Sequence, residues 1–311
     1  METASSGTNQ EIATNPKGSA SEAPPPETPT VRERSRRALQ QLPPFSPILN
    51  RLIASLAAED VSFARIADLI EKDTVLAGNI LKLVNSALYG LAGTVNSIRH
   101  AVSLLGTNKL RNAALSMSVA RMWTQVKTPP GWSTANFNQH SVGVAILSDY
   151  LAQRLNVVYA EGAFAAGLFH DLGLMLVAIG LHDEYKQLSL LRQQSHNWDP
   201  EYEMQVLGMT HAELSADALA EWNLPEQIQT AVRYHASPEL DPTVLKPGQL
   251  ALSRVLHAAD SYVKGTGVFV SVFESPLEDP HTAVEQLGLG ERLPAMLKDF
   301  DSEFMAIKSY F

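Results

Sequence analysis

The chain has 311 residues, no cysteine and a formal net charge of −9. The lack of cysteine excludes disulfides, thiolate zinc sites and cysteine nucleophiles. The acidic balance argues against nucleic acid as a partner, because such binding needs a basic face.

No run of about 18 uncharged apolar residues is apparent, and no basic-then-apolar leader opens the chain. The expectation is therefore a cytoplasmic protein with no membrane partner. Residues 1–30 are rich in Ser, Thr, Pro, Glu and Asn, with Pro24, Pro25 and Pro26 in a row, and read as a disordered tail. The basic cluster Arg32, Arg34, Arg36 and Arg37 follows and reads as a solvated helix start.

Helical spacing begins behind Ser46, with Ile48, Leu49, Leu52, Ile53 and Leu56. Ser62 opens a second run through Phe63, Ile66, Leu69 and Ile70. A third carries Leu76, Ile80, Leu81 and Val84 and stops near Tyr89-Gly90. A fourth starts at Asn96 or Ser97, pauses at Gly106 and resumes through Leu110, Leu115 and Met117 to Trp123. Residues 31–127 therefore read as an amino-terminal helical subdomain.

Pro129-Pro130-Gly131 is the clearest internal break. Residues 132–264 read as a second helical subdomain and 265–311 as an extension with a terminal helix. Tyr159 to Gly180 is apolar on nearly every side, as a central buried helix is. Further helices are expected over 182–195, 199–207, 210–222, 225–236, 247–264 and 290–308. Only Val268 to Phe273 reads as extended, so the class is all-α.

His170 and Asp171 stand in the middle of the apolar segment. Burying such a pair costs several kcal/mol unless each group finds a partner. The pair can coordinate a metal or make structural hydrogen bonds, and taken alone the second reading is the commoner. The pair has company, however. His140, His211, His235 and Asp260 each fall on a different expected helix among apolar neighbours, and helix bundles build metal sites from inward-facing ligands of this kind. His182, His196 and His281 sit beside loops, and neither His100 nor His257 has a matching set.

The order His140, His170-Asp171, Asp260 resembles the signature of the HD metal-phosphohydrolase superfamily. Leu42-Pro43-Pro44, Ile70 to Asp73, Asn85 to Gly90 and Ser97 to Val102 with Leu105-Gly106 narrow the resemblance to its HDOD branch. So do Gly167 to Gly173, Glu203 with Gly208 and His211-Ala212-Glu213, and Trp222 to Glu226. The resemblance covers roughly residues 39–264. It implies an all-α HDOD fold, with an amino-terminal helical subdomain packed on an HD-like one, and a role in bacterial signalling.

By the same resemblance His140, His170, Asp171 and Asp260 would bind a divalent metal (Fe, Mn, Mg or Zn). His211 and His235 would serve a second metal or a phosphate. The chain departs from the cyclic-di-GMP phosphodiesterases of the superfamily, because Ala236 replaces a second histidine after His235 and no Gly-Tyr-Pro segment follows. Within the HDOD pattern Thr74, Phe137 and Ser215 replace a common proline, tryptophan and glycine.

Two functions follow from the resemblance. One is a regulatory protein that acts through a signalling protein partner or a nucleotide-like ligand. The other is a metal-dependent phosphohydrolase on a nucleotide or cyclic dinucleotide. Phosphate-clamping residues are scarce, and Arg233 is the nearest candidate.

Overall fold

A computed structural model describes residues 29–55, 63–86, 89–90, 93–195, 200–270 and 279–311. The expected tail lies outside this range apart from Pro29 and Thr30, and so does Ser62. The extended segment is described only over 268–270, which form no strand; the rest of it lies outside.

The described residues form helices and connecting turns, with one isolated bridge between Val157 and Leu250. The first helix, α1 (Val31–Gln40), starts at Thr30 in a capping box with Glu33. Next come α2 (Pro47–Ala54), α3 (Phe63–Glu71), α4 (Thr74–Val84), α5 (Ile98–Leu105) and α6 (Thr107–Trp123), and α2 to α6 pack on one another. Asp73 caps α4 by accepting from the Val75 and Leu76 amides. Gly106 separates α5 from α6 at φ +84°, a conformation that favours glycine. Asn85 has a structural job: its side chain donates to Val95 O and accepts from Val95 N, both at 2.7 Å, closing the loop before α5.

The Pro-Pro-Gly break is pinned by aromatic contacts. Trp123 and Trp132 both meet the buried ring of Phe137, with centroids 6.0 and 5.3 Å away. Beyond it come α7 (Thr134–Ala152), α8 (Ala163–Phe169), α9 (Leu172–Gly180), α10 (His182–Ser195), α11 (Pro200–Leu207) and α12 (His211–Glu221). They are followed by α13 (Glu226–Arg233), α14 (Leu252–Gly265), α15 (Thr282–Glu285) and α16 (Leu293–Ile307). Around α8 lie α7, α13 and α14, while α1 and α12 cover α9 and α16 lies on α7.

Residues 160–180 are long and apolar enough to cross a membrane by length and composition, and their most apolar stretch is buried inside the fold, as expected. The expectation of one continuous helix there is corrected. The chain turns at Asp171 (φ −97°, ψ 14°), between α8 and α9. Close packing explains the turn. A Cβ on Gly167 would lie 2.5 Å from Ala145 Cα on α7, and one on Gly173 only 2.1 Å from His211 O on α12. The two glycines let α8 and α9 approach different neighbours, and those neighbours carry His140 and His211. Helices expected from 225 and 247 are also shorter: α13 ends before His235, and α14 begins only at Leu252.

Candidate metal centre

The junction of α8 and α9 brings the six sequence-selected residues together. His140 comes from α7, His170 and Asp171 from the junction, His211 from the start of α12, His235 from just beyond α13, and Asp260 from α14. Except for Asp260, whose side chain is 11% exposed, all are almost fully buried.

Each imidazole is held through Nδ1. His140 Nδ1 lies 2.9 Å from Val268 O, His170 Nδ1 2.8 Å from Gly167 O, and His235 Nδ1 2.7 Å from Val232 O. His211 Nδ1 lies 2.7 Å from Glu203 Oε1. Carbonyls and carboxylates only accept, so each Nδ1 carries a hydrogen and each neutral ring turns an Nε2 lone pair inward. Outer partners of this sort orient metal-binding histidines.

The inward atoms form two neighbouring groups that share Asp171. On one side, Asp171 Oδ2 lies 3.3 Å from His170 Nε2 and 3.4 Å from His140 Nε2. Asp260 Oδ1 joins them, 3.1 Å from His140 Nε2 and 3.6 Å from His170 Nε2. On the other side, Asp171 Oδ1 lies 3.2 Å from His211 Nε2 and 4.0 Å from His235 Nε2. The sets His140, His170, Asp260 and His170, Asp171, His235 are each compact enough to hold a metal ion.

Neither group is satisfied by protein alone. Asp171 Oδ1, Asp171 Oδ2 and Asp260 Oδ1 are buried without a hydrogen-bond donor from neutral rings in this tautomer. The Nε2 atoms of His140 and His170 face each other at 3.3 Å, and those of His211 and His235 at 3.4 Å. Opposed lone pairs and orphaned carboxylate oxygens require positive charge between them, supplied by protons or by a metal. The donor set of imidazole nitrogen and carboxylate oxygen fits a divalent transition metal.

Titration reflects the same crowding. Burial opposes charging His140, but the Asp171 and Asp260 carboxylates outweigh it and lift its pKa to about 9. Burial also opposes charging His211, and Glu203 with Asp171 lifts it to about 10. His170 moves up against burial, chiefly through Asp171. His235 is pushed down to about 3 by burial and by its neighbours His170 and His211. Asp171 and Asp260 are held well below the usual carboxylate range despite burial, Asp171 mainly by His170 and Asp260 mainly by Lys264.

Several supporting residues carried weaker signals in sequence. Glu203, fully buried, also accepts from the His211 backbone N–H at 2.6 Å; its signal was an acid eight residues before a histidine that starts a helix. Ser215 accepts from the Gly173 N–H at 2.7 Å, tying α12 to the first turn of α9. His257 Nδ1 lies 2.9 Å from His235 O. Lys264 donates to Asp260 Oδ2 at 2.8 Å. Arg233 is not among the cluster's partners and instead donates to Asp217 at 2.7 Å.

Comparison with known proteins agrees with this architecture. The profile of the HDOD domain matches residues 42–238. An uncharacterized protein of Treponema pallidum (strain Nichols) is 26% identical over 215 residues, which are 67% of this chain but only 40% of that protein. A crystallised HDOD domain protein of unknown function from Geobacter sulfurreducens superposes with a TM-score of 0.70 at 24% identity, covering 89% of this chain and 96% of the other. A Shewanella amazonensis SB2B protein provisionally described as a phosphohydrolase gives a TM-score of 0.65 at 21% identity, covering 89% and 97%. At these identities the structures speak for the fold. With the profile spanning most of the chain, the protein belongs to the HDOD family.

Proposed function

We propose that this chain is a regulatory HDOD protein that acts by binding a partner or ligand, with a divalent metal held by the His/Asp cluster as part of its fold. His140, His170, Asp171 and Asp260 would hold one ion, and Asp171, His211 and His235 a second. A bound metal would supply Lewis acidity and a charge to balance the carboxylates.

The observation that carries the regulatory reading is that the cluster is buried while nearby cations are already committed. Lys264 is spent on Asp260 and Arg233 on Asp217. A phosphoryl substrate needs cations aimed at its oxygens. The intact second trio favours the alternative, a metal-dependent phosphohydrolase, and keeps it open to test.

The test is turnover of bis-p-nitrophenyl phosphate by the full chain loaded with manganese or iron(II). The regulatory reading expects no rate above the free metal, together with loss of signalling output in His170→Ala. Turnover that disappears in Asp171→Ala would establish the hydrolase instead.

A further inference from the structure

A second cavity is lined by residues of α2, α4, α6 and the start of α7, none of them a member of the metal cluster. Its volume of about 430 Å³ is within the range of small-molecule sites. Two sequence motifs that the metal centre does not use converge on it: Pro43-Pro44 before α2, and Asp73 at the start of α4. Met117, Met122 and Tyr310 add apolar surface.

Asn138 at the start of α7 is the decisive residue. It is only 4% exposed, yet it lines this cavity, and its carboxamide has no hydrogen-bond partner among the described residues. Asn79 on α4 and Ser118 on α6 line the same space, and their side chains likewise have no hydrogen-bond partner among the described residues. The charged lining groups are already matched: Arg121 donates to Asp73 Oδ2 at 3.2 Å, and Asp73 Oδ1 accepts from the α4 amides.

The groups free to meet a ligand include the carboxamides of Asn138 and Asn79 and the Ser118 hydroxyl, set among proline, methionine and tyrosine. A carboxamide offers a donor beside an acceptor, the complement of a heterocycle's edge. Thioether and ring surfaces suit a flat face. We infer that this cavity binds an uncharged planar heterocycle of nucleobase or nucleoside size, read by Asn138 and Asn79. The inference does not depend on whether the His/Asp cluster holds a metal. Because α7 carries both Asn138 and His140, one helix spans the two sites.

The test titrates adenosine, guanosine, cytidine and uridine into the full chain by calorimetry, with a capped Tyr-Phe dipeptide as the peptide control. We expect one-site saturation by at least one nucleoside. Asn138→Leu, alike in branching but unable to hydrogen-bond, should weaken it at least about tenfold. Asn79→Ala, at a half-buried position, should weaken it too and guards against a folding failure in the first variant. Metal content should be unchanged in both. Absence of nucleoside binding, binding unaffected by both variants, or saturation by the dipeptide alone would overturn the proposal.

Discussion

Glu203 holds His211 twice, accepting from its backbone N–H at 2.6 Å and from Nδ1–H at 2.7 Å. This pairing starts α12 and aims His211 Nε2 at Asp171 in one stroke. Glu203→Gln keeps the volume but replaces one acceptor oxygen with a donor, so only one N–H can be served. Metal affinity should fall about 10–100-fold, the usual loss when an outer partner is removed. Chelator competition checks this, with circular dichroism confirming the fold. Unchanged affinity would mean that Glu203 only fills space.

Gly173→Ala places a methyl 2.1 Å from His211 O and 2.9 Å from its carbonyl carbon, and this backbone cannot rotate away as a side chain could. Overpacking of this sort costs about 1–3 kcal/mol. Gly78→Ala, within α4 with open space around its Cα, is the control. It should be neutral or stabilising by about 0.5–1 kcal/mol. Urea midpoints of the two variants should move in opposite directions or differ by at least the cost at Gly173.

Without metal, His140 and His211 keep their protons to about 9 and about 10, whereas the unfolded chain releases them near 6.5. The folded state therefore binds more protons in that window, and the stability these groups contribute is lost as pH rises through it. His235, with a folded value of about 3, acts in the opposite direction and subtracts stability as pH falls below 6.5. The metal-free protein should be most stable just below pH 6.5, and denaturant midpoints followed across pH should peak there.

Metal coordination at Nε2 must displace those protons. Binding should therefore release protons near pH 7, and affinity should increase on the alkaline side. Calorimetry in two buffers of different ionisation heat measures the release. A value near zero would contradict protonated imidazoles in the free site.

The class and most helices were legible in sequence because amphipathic spacing and a cap such as Ser46 are local signals. The six cluster residues were legible because buried histidines and aspartates are anomalous among apolar neighbours. The turn at Asp171 was not, since an unbroken apolar run hides a change of direction that only tertiary packing at Gly167 and Gly173 imposes. Glu203 and Ser215 were missed as working parts for a related reason. Their roles rest on contacts across helices, with no periodicity of their own.

The most direct test of the metal centre is elemental analysis of the purified full chain beside Asp171→Ala. Asp171 is the residue both halves of the cluster share. The expected result is a first-row divalent metal retained through dialysis by the wild-type chain and lost by the variant. A wild-type chain that stays metal-free after incubation with manganese, iron and zinc would contradict a metal in this cluster.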